Sequence, residues 1–228
     1  MEVYWLGRTP YLPTVALQEK LRQQVLDGGS EVLLLCEHDP VVTLGRSARP
    51  EDVLATVEDL AAAGIEWALS TRGGRATYHG PGQIVAYPVV RLRRGVLAHV
   101  QALGQAAAEV ARQCGVAATW RRDPVGVYVG NRKLAAIGVH IQRHVAIHGL
   151  ALNVTEAACL APRKGLIVPC GEAHRALTSL AEECGRPLSI EELLEPLAQA
   201  LGQAMGRPVG PIQAAAVGVL LSRTDPMR

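Results

Sequence analysis

The spacing of apolar residues along the chain predicts helices set between short strands, followed by a run of consecutive strands. Residues 3–6 read as a strand. From Thr14 an apolar face recurs at Leu17, Leu21 and Val25, the helical period, and Gly28-Gly29 ends it. Residues 31–36 form an apolar run with the length of a buried strand. Pro50-Glu51-Asp52 opens a second expected helix, with Val53, Val57, Leu60 and Ala61 inward and Gly64 at its end. Residues 65–69 read as a strand, a glycine-rich loop follows, and residues 83–90 form the next strand. A third helix is expected from Val96 to about Cys114. Four strands should follow, at residues 116–120, 125–129, 133–141 and 145–152. Gly130-Asn131 suits the tight turn between two of them. Ser189-Ile190-Glu191-Glu192 is a capping box opening a helix toward Met205. The last twenty or so residues fit a strand or a loose tail equally well.

This order argues for a mixed α/β (α+β) sheet rather than a doubly wound parallel one. With neither an internal repeat nor a low-complexity linker, one domain over residues 1–228 is expected. Composition narrows the classes. Lys and Arg total 23 against 21 Asp and Glu, a net charge of +2, so the molecule as a whole does not attract polyanions and no nucleic-acid partner is expected. Lysine occurs only at Lys20, Lys133 and Lys164. The cysteines, Cys36, Cys114, Cys159, Cys170 and Cys184, are odd in number and include no C-x-x-C pair, which argues against a zinc ribbon or disulfide framework. Met1-Glu2-Val3-Tyr4-Trp5 lacks the basic start of a signal peptide, and no apolar stretch is long enough to span a bilayer. A cytoplasmic location without membrane attachment is the expectation.

Three segments carry chemistry. Arg72-Gly73-Gly74-Arg75-Ala76-Thr77-Tyr78-His79-Gly80-Pro81-Gly82-Gln83 holds four glycines in twelve residues, which allow a backbone to approach a ligand closely. No Gly-Lys-Ser/Thr follows, so it is not a P-loop, and its glycine spacing is not that of a dinucleotide fingerprint. Lys133-Leu134-Ala135-Ala136-Ile137-Gly138 places a lysine before a strand of small residues, with room for an acyl chain alongside. Taken alone, a lysine at a strand start is more often solvent-exposed than functional. Ile167-Val168-Pro169-Cys170-Gly171 sets a cysteine in a turn, where its thiol is exposed. Cys36, Cys114 and Cys184 lie in or beside apolar runs and read as buried filler, while Cys159 fits either role.

At these segments the chain resembles the lipoyl(octanoyl) transferase family. The family pattern R-G-G-x-x-T-[YW]-H-G-P-G-Q is met at residues 72–83, K-[IL]-A-A-[IL]-G at residues 133–138, and P-C-G with a later T-S-L at Pro169-Cys170-Gly171 and Thr178-Ser179-Leu180. Residues 38–46 and His148-Gly149-Leu150-Ala151-Leu152-Asn153 also match, while Glu172-Ala173-His174-Arg175 is more charged than the pattern. The resemblance spans most of the chain, in order.

It implies a fold like the catalytic domains of biotin and lipoate protein ligases, with a larger and a smaller sheet. It implies that Cys170 takes an octanoyl group from acyl carrier protein as a thioester, and that a lysine of a lipoyl domain then receives it as an amide. Lys133 would stabilise the thiolate and accept a proton. Arg72, Gly73, Gly74, Arg75, Ala76, Thr77, Tyr78, His79, Ala136, Ile137, Gly138, Gly149, Leu150 and Ala151 would line the acyl and pantetheine pocket. Acceptors would be lipoyl domains of 2-oxoacid dehydrogenases and the glycine cleavage H protein. No metal or resident cofactor is implied, and a monomer is expected. Arg91, Arg93, Arg94, Arg121, Arg122 and Arg163 are candidates for steering acidic partners. The alternative within the same fold is an ATP-dependent lipoate-protein ligase.

Overall fold

The computed structural model describes residues 1–163, 165–166 and 177–222. In chain order the strands are β1 (Glu2–Thr9), β2 (Val32–His38), β3 (Val41–Leu44), β4 (Glu66–Leu69), β5 (Ala76–His79), β6 (Gln83–Arg91), β7 (Thr119–Arg122), β8 (Val125–Val129), β9 (Arg132–Gln142), β10 (Val145–Asn153) and β11 (Ile212–Ala214). The helices are α1 (Tyr11–Leu26), α2 (Val57–Ala62), α3 (Val96–Gln113), α4 (Ala157–Arg163), α5 (Leu180–Cys184), α6 (Glu191–Met205) and α7 (Val217–Ser222). Eight strands form one sheet in the order β11-β1-β2-β6-β10-β9-β8-β7, and β4-β3-β5 form a second, smaller one. β1 runs parallel to β2 and β11, whereas the pairings from β2 through β7 are antiparallel. This is the mixed sheet the element order predicts.

The central strands are apolar on both faces because both faces are covered. On one side α3 and α6 pack with Leu33, Leu35, Ile84, Leu150 and Leu152. Small residues of α3, among them Ala106, Ala107 and Ala111, let the helix lie close to the sheet. On the other side α1 and α7 cover Leu34, Val85, Tyr87, Ile147 and Ala151.

Several boundaries differ from expectation. The first helix begins at Tyr11, not Thr14, because Pro10 is extended at the N-cap and Pro13 falls in the first turn, where a missing N–H costs no helix bond. The expected helix at Pro50 divides: Pro50–Asp52 is a single 3-10 turn, Val53 is extended, and Thr56 caps α2 through a reciprocal box with Asp59. Within α2 Leu60 is buried, while Val57 and Ala61 face outward and Val53 is half-buried. The strand expected at 116–120 lies at Thr119–Arg122, and Val116 is buried in the connection before it. The glycine-rich loop ends as β5, and β3, α4 and α5 were not anticipated. At the C-terminal side the strand reading holds for β11, which joins the sheet beside β1; a helix rather than a loose tail follows, α7, which folds back with its last carbonyls bound by Lys20 Nζ at 3.1 and 2.7 Å.

Candidate active site

The two sheets meet at a cavity of about 150 Å3. Ala136, Ile137 and Gly138 of β9 and Gly149, Leu150 and Ala151 of β10 form its wall on the large sheet. Gly138 and Gly149 are register partners. A Cβ at Gly149 would lie 2.1 Å from the carbonyl oxygen of Ala86, and one at Gly138 would lie 2.9 Å from that of Gly73. Only glycine lets the Gly73 backbone cross β9 here, where its N–H binds the Val139 carbonyl at 3.0 Å.

The glycine-rich segment supplies the opposite wall through Arg72, Gly74, Arg75, Thr77 and His79. Gly73, Ala76 and Tyr78, also expected as lining, are not among the residues facing the cavity. Strand period explains two of them: Thr77 and His79 point in, so Ala76 and Tyr78 point to the other face of the small sheet. There Tyr78 packs with Val42, Leu60 and Ile65. Tyr11, Val85, Tyr87, Pro124, Val125 and His148 line the cavity without having been expected. For His148 a signal existed in the His-Gly-Leu-Ala-Leu-Asn stretch. Its φ of 58° is held by its own N–H, which donates to Gln18 Oε1 at 2.8 Å. Tyr11 arrives only through the packing of α1.

The cavity wall is mainly apolar, and its histidines and tyrosines carry no net charge. Arg72 is buried and donates through Nη2 to the Thr43 carbonyl and hydroxyl, each at 2.7 Å, and through Nη1 to the Gly73 carbonyl at 3.1 Å. His38 bonds Tyr87 Oη at 2.8 Å, and Tyr11 stacks on His79 with ring centroids 6.2 Å apart. Burial pushes the His79 imidazole well below its ordinary range, reinforced by His38 and Arg72. Burial and then Arg72 lower His148 to about 3, and burial brings His38 to about 4. These rings are neutral at neutral pH, so the arginine has no competing cation among them.

Lys133 is 3% exposed, not the solvent-facing lysine that its position at a strand start suggests. Its Nζ lies 5.3 Å from the Tyr128 ring centroid, and the side chain lines the same cavity. β10 ends at Asn153 before reaching Lys133. In its place Leu177 pairs with Lys133 in a parallel bridge, and Thr178 donates its N–H to the Lys133 carbonyl at 3.0 Å. Cys170, with Pro169, Gly171 and residues 172–175, lies outside the described residues. The described chain before it reaches Leu166, whose carbonyl accepts from Leu54 N at 3.0 Å, and the chain after it resumes at Leu177 beside Lys133.

The other cysteines separate clearly. Cys36 and Cys159 are fully buried, and burial raises both thiols, that of Cys159 to about 12. Cys114 and Cys184 are half-buried rather than fully enclosed. Most of the candidate steering arginines have local partners: Arg91 binds the Val25 carbonyl, Arg93 that of Gly206, Arg121 that of Gly130, and Arg163 pairs with Glu182. Among the described residues no group of three or more His, Cys, Asp or Glu is arranged to hold a metal, and no helix is long and apolar enough to cross a membrane.

A large sheet, a small sheet and flanking helices in this order form a fold shared with solved lipoate and biotin protein ligases. A bipartite lipoate protein ligase from Thermoplasma acidophilum superposes with a TM-score of 0.71 at 15% identity, over 96% of this chain and 89% of that one. The biotin protein ligase of Aquifex aeolicus, in complex with biotin and ATP, gives 0.56 at 15% identity, over 90% and 70%. Residues 10–202 match the lipoyl protein ligase A/B catalytic domain, and the chain belongs to that family. It is also 40% identical over 186 residues to the octanoyltransferase of Desulfovibrio desulfuricans, 80% of this chain and 77% of that protein.

Proposed function

We propose that the chain is an octanoyltransferase that moves an octanoyl group from acyl carrier protein to a lysine of a lipoyl domain, through a thioester on Cys170. The observation that carries this reading is Lys133, buried in the lining of a mainly apolar cavity whose wall includes the same strand, with chain leading from Cys170 paired to it. The family's A/B catalytic domain and the octanoyltransferase relative support it.

In the first half-reaction the Cys170 thiolate attacks the donor thioester carbonyl. The tetrahedral oxyanion collapses, the pantetheine sulfur takes a proton from Lys133 and leaves as a thiol, and the acyl chain lies along β9 and β10. Exchange of one thioester for another is near energy-neutral. In the second, the acceptor amine attacks, an amide forms, Cys170 leaves as thiolate, and Lys133 takes the amine proton. A desolvated lysine can shed its proton, which an arginine cannot. Amide formation draws the sequence forward, so the thioester itself is the energy source. Lipoyl domains of 2-oxoacid dehydrogenases and the glycine cleavage H protein are the acceptors in this reading. The enzyme acts as a single-domain cytoplasmic monomer without resident metal or cofactor.

The test is incubation with octanoyl-acyl carrier protein in the absence of nucleotide, followed by intact mass and peptide mapping. One octanoyl group on Cys170 is expected. An adduct on Cys159, or strict dependence on ATP with free octanoate, overturns the proposal; the second result places the chain with the ligases.

A further inference from the structure

The hydrogen bonds around His79 form a line whose polarity is fixed from one end. That end is the carbonyl oxygen of Thr178, which can only accept. Asn153 approaches it at 3.0 Å, so the facing atom is the amide nitrogen Nδ2. Asn153 Oδ1 is left to accept, and Gln83 Nε2 donates to it over 2.9 Å. Gln83 therefore turns Oε1 away, to 2.7 Å from His79 Nδ1. An amide oxygen cannot donate, so the ring hydrogen sits on Nδ1 and Nε2 keeps a lone pair. Nε2 faces the Thr43 hydroxyl at 3.4 Å, which is also 3.4 Å from the Thr77 carbonyl. The same hydroxyl receives Arg72 Nη2 at 2.7 Å and Nε at 3.2 Å.

The opposite tautomer breaks this line at both ends. Nε2–H would point at a hydroxyl that already accepts from Arg72. Nδ1 would face Gln83 Oε1, acceptor against acceptor, unless both amides flipped. The flip would then set Asn153 Oδ1 against the Thr178 carbonyl. Gln83 and Asn153 are only 4% and 5% exposed, so a mismatched atom there has no water to turn to.

We infer that Gln83 and Asn153 are positioning residues for the transfer reaction: they hold His79 in the Nδ1–H form, so that every donor from the His79 ring on the cavity wall to Thr178 beside Lys133 points the same way. The geometry ties the glycine-rich segment to the backbone that flanks Lys133 and follows Cys170. Its catalytic consequence rests on the octanoyl transfer reading, while the tautomer does not. The titratable and charged groups facing His79 are Arg72, His38, His148 and Tyr11. None of them touches Nδ1, which belongs to Gln83.

The decisive measurement is long-range proton–nitrogen correlation NMR on the uniformly 15N-labelled protein. Between pH 6 and pH 8, His79 should show a protonated Nδ1 and an unprotonated Nε2; the reverse assignment overturns the inference whatever the enzyme transfers. Gln83→Glu then places a carboxylate on Nδ1–H and favours the imidazolium. The octanoyl transfer rate should acquire an ionisation absent from the wild type and fall as pH drops through it. Asn153→Asp removes the donor to Thr178. Each variant should lower kcat by about tenfold or more with KM within about threefold. A pH profile of Gln83→Glu that superimposes on the wild type, or full activity in either variant, overturns the positioning role. A variant that misfolds leaves the wild-type ring assignment as the deciding result. If the wild type shows the expected tautomer but transfers no octanoyl group, the proposed function fails and the relay stands.

Discussion

At the scale of single residues, the choice of lysine at 133 is the sharpest feature. The chain meets its need for positive charge almost wholly with arginine, yet a lysine is buried in the cavity lining. Under the proposed function, Lys133→Arg should keep a cation at this position but remove the proton acceptor, allowing self-acylation while slowing transfer by about 100-fold or more. Lys133→Ala should slow both steps. Single-turnover assays of the two half-reactions separate these outcomes; equal rates in wild type and Lys133→Ala would reduce Lys133 to a structural residue. The thiols offer a second residue-scale check. With Cys159 raised to about 12 by burial and Cys36 higher still, neither forms thiolate at pH 8. Brief iodoacetamide treatment of the folded protein at pH 8 should modify Cys170 and spare Cys36 and Cys159. Early labelling of Cys159 contradicts its enclosure.

At the scale of elements, the Gly138–Gly149 pair decides how closely strands and loop approach. Gly149→Ala places a Cβ against the Ala86 carbonyl and Pro88 Cδ of β6, a central strand covered on both faces. Overpacking there should cost about 3 kcal/mol. Gly218→Ala, in α7 with open space around its Cβ position, should be neutral or slightly stabilising. Urea denaturation of the two variants tests the contrast. Elements of this kind were legible when long and one-patterned. The apolar runs of β6 and β10 and the amphipathic α3 and α6 stand out because burial imposes a period on many residues. Within the small sheet β4 was read as a strand, but β3 and β5 escaped because they have four residues each, and β5, Ala76–His79, uses its inward positions for a threonine and a histidine of the site. The Arg-Gly-Gly and Lys-Leu-Ala-Ala segments announced the site by residue type. Which of their side chains face the cavity required the strand register, and Tyr11 required the tertiary placement of α1.

At the scale of the whole molecule, stability should depend on pH through histidines that the fold keeps neutral. His38, His79 and His148 lie around the cavity, and His99 is enclosed on α3, across the large sheet. Burial is the first cause of depression at each of them; it brings His38 to about 4, His148 to about 3 and, with Arg207 adding to it, His99 to about 4. In the unfolded chain these rings titrate near 6.5. Between that value and the folded values the unfolded state binds more protons, so stability is intact above about pH 6.5 and declines as pH falls. For His38 alone the loss by pH 4 is about 3 kcal/mol, a large share of the ~5–15 kcal/mol that holds a domain together. Glu31, whose burial is outweighed by hydrogen bonds and charge from Arg207, acts lower down, losing its contribution only below the ordinary carboxylate range. The acid limb should therefore begin near pH 6.5, earlier than carboxylates alone would place it. His99 offers the cleanest control: it lies away from the cavity, and its Nε2 is buried with no hydrogen-bond partner among the described residues. His99→Leu should flatten the decline between pH 6.5 and pH 4 and leave the half-reactions at neutral pH unchanged. Thermal melts from pH 8 to pH 4 decide it. A wild-type melting temperature that stays level down to pH 5 would mean that these rings take up protons in the folded protein as they do in the unfolded chain, and their depression by burial would have to be abandoned.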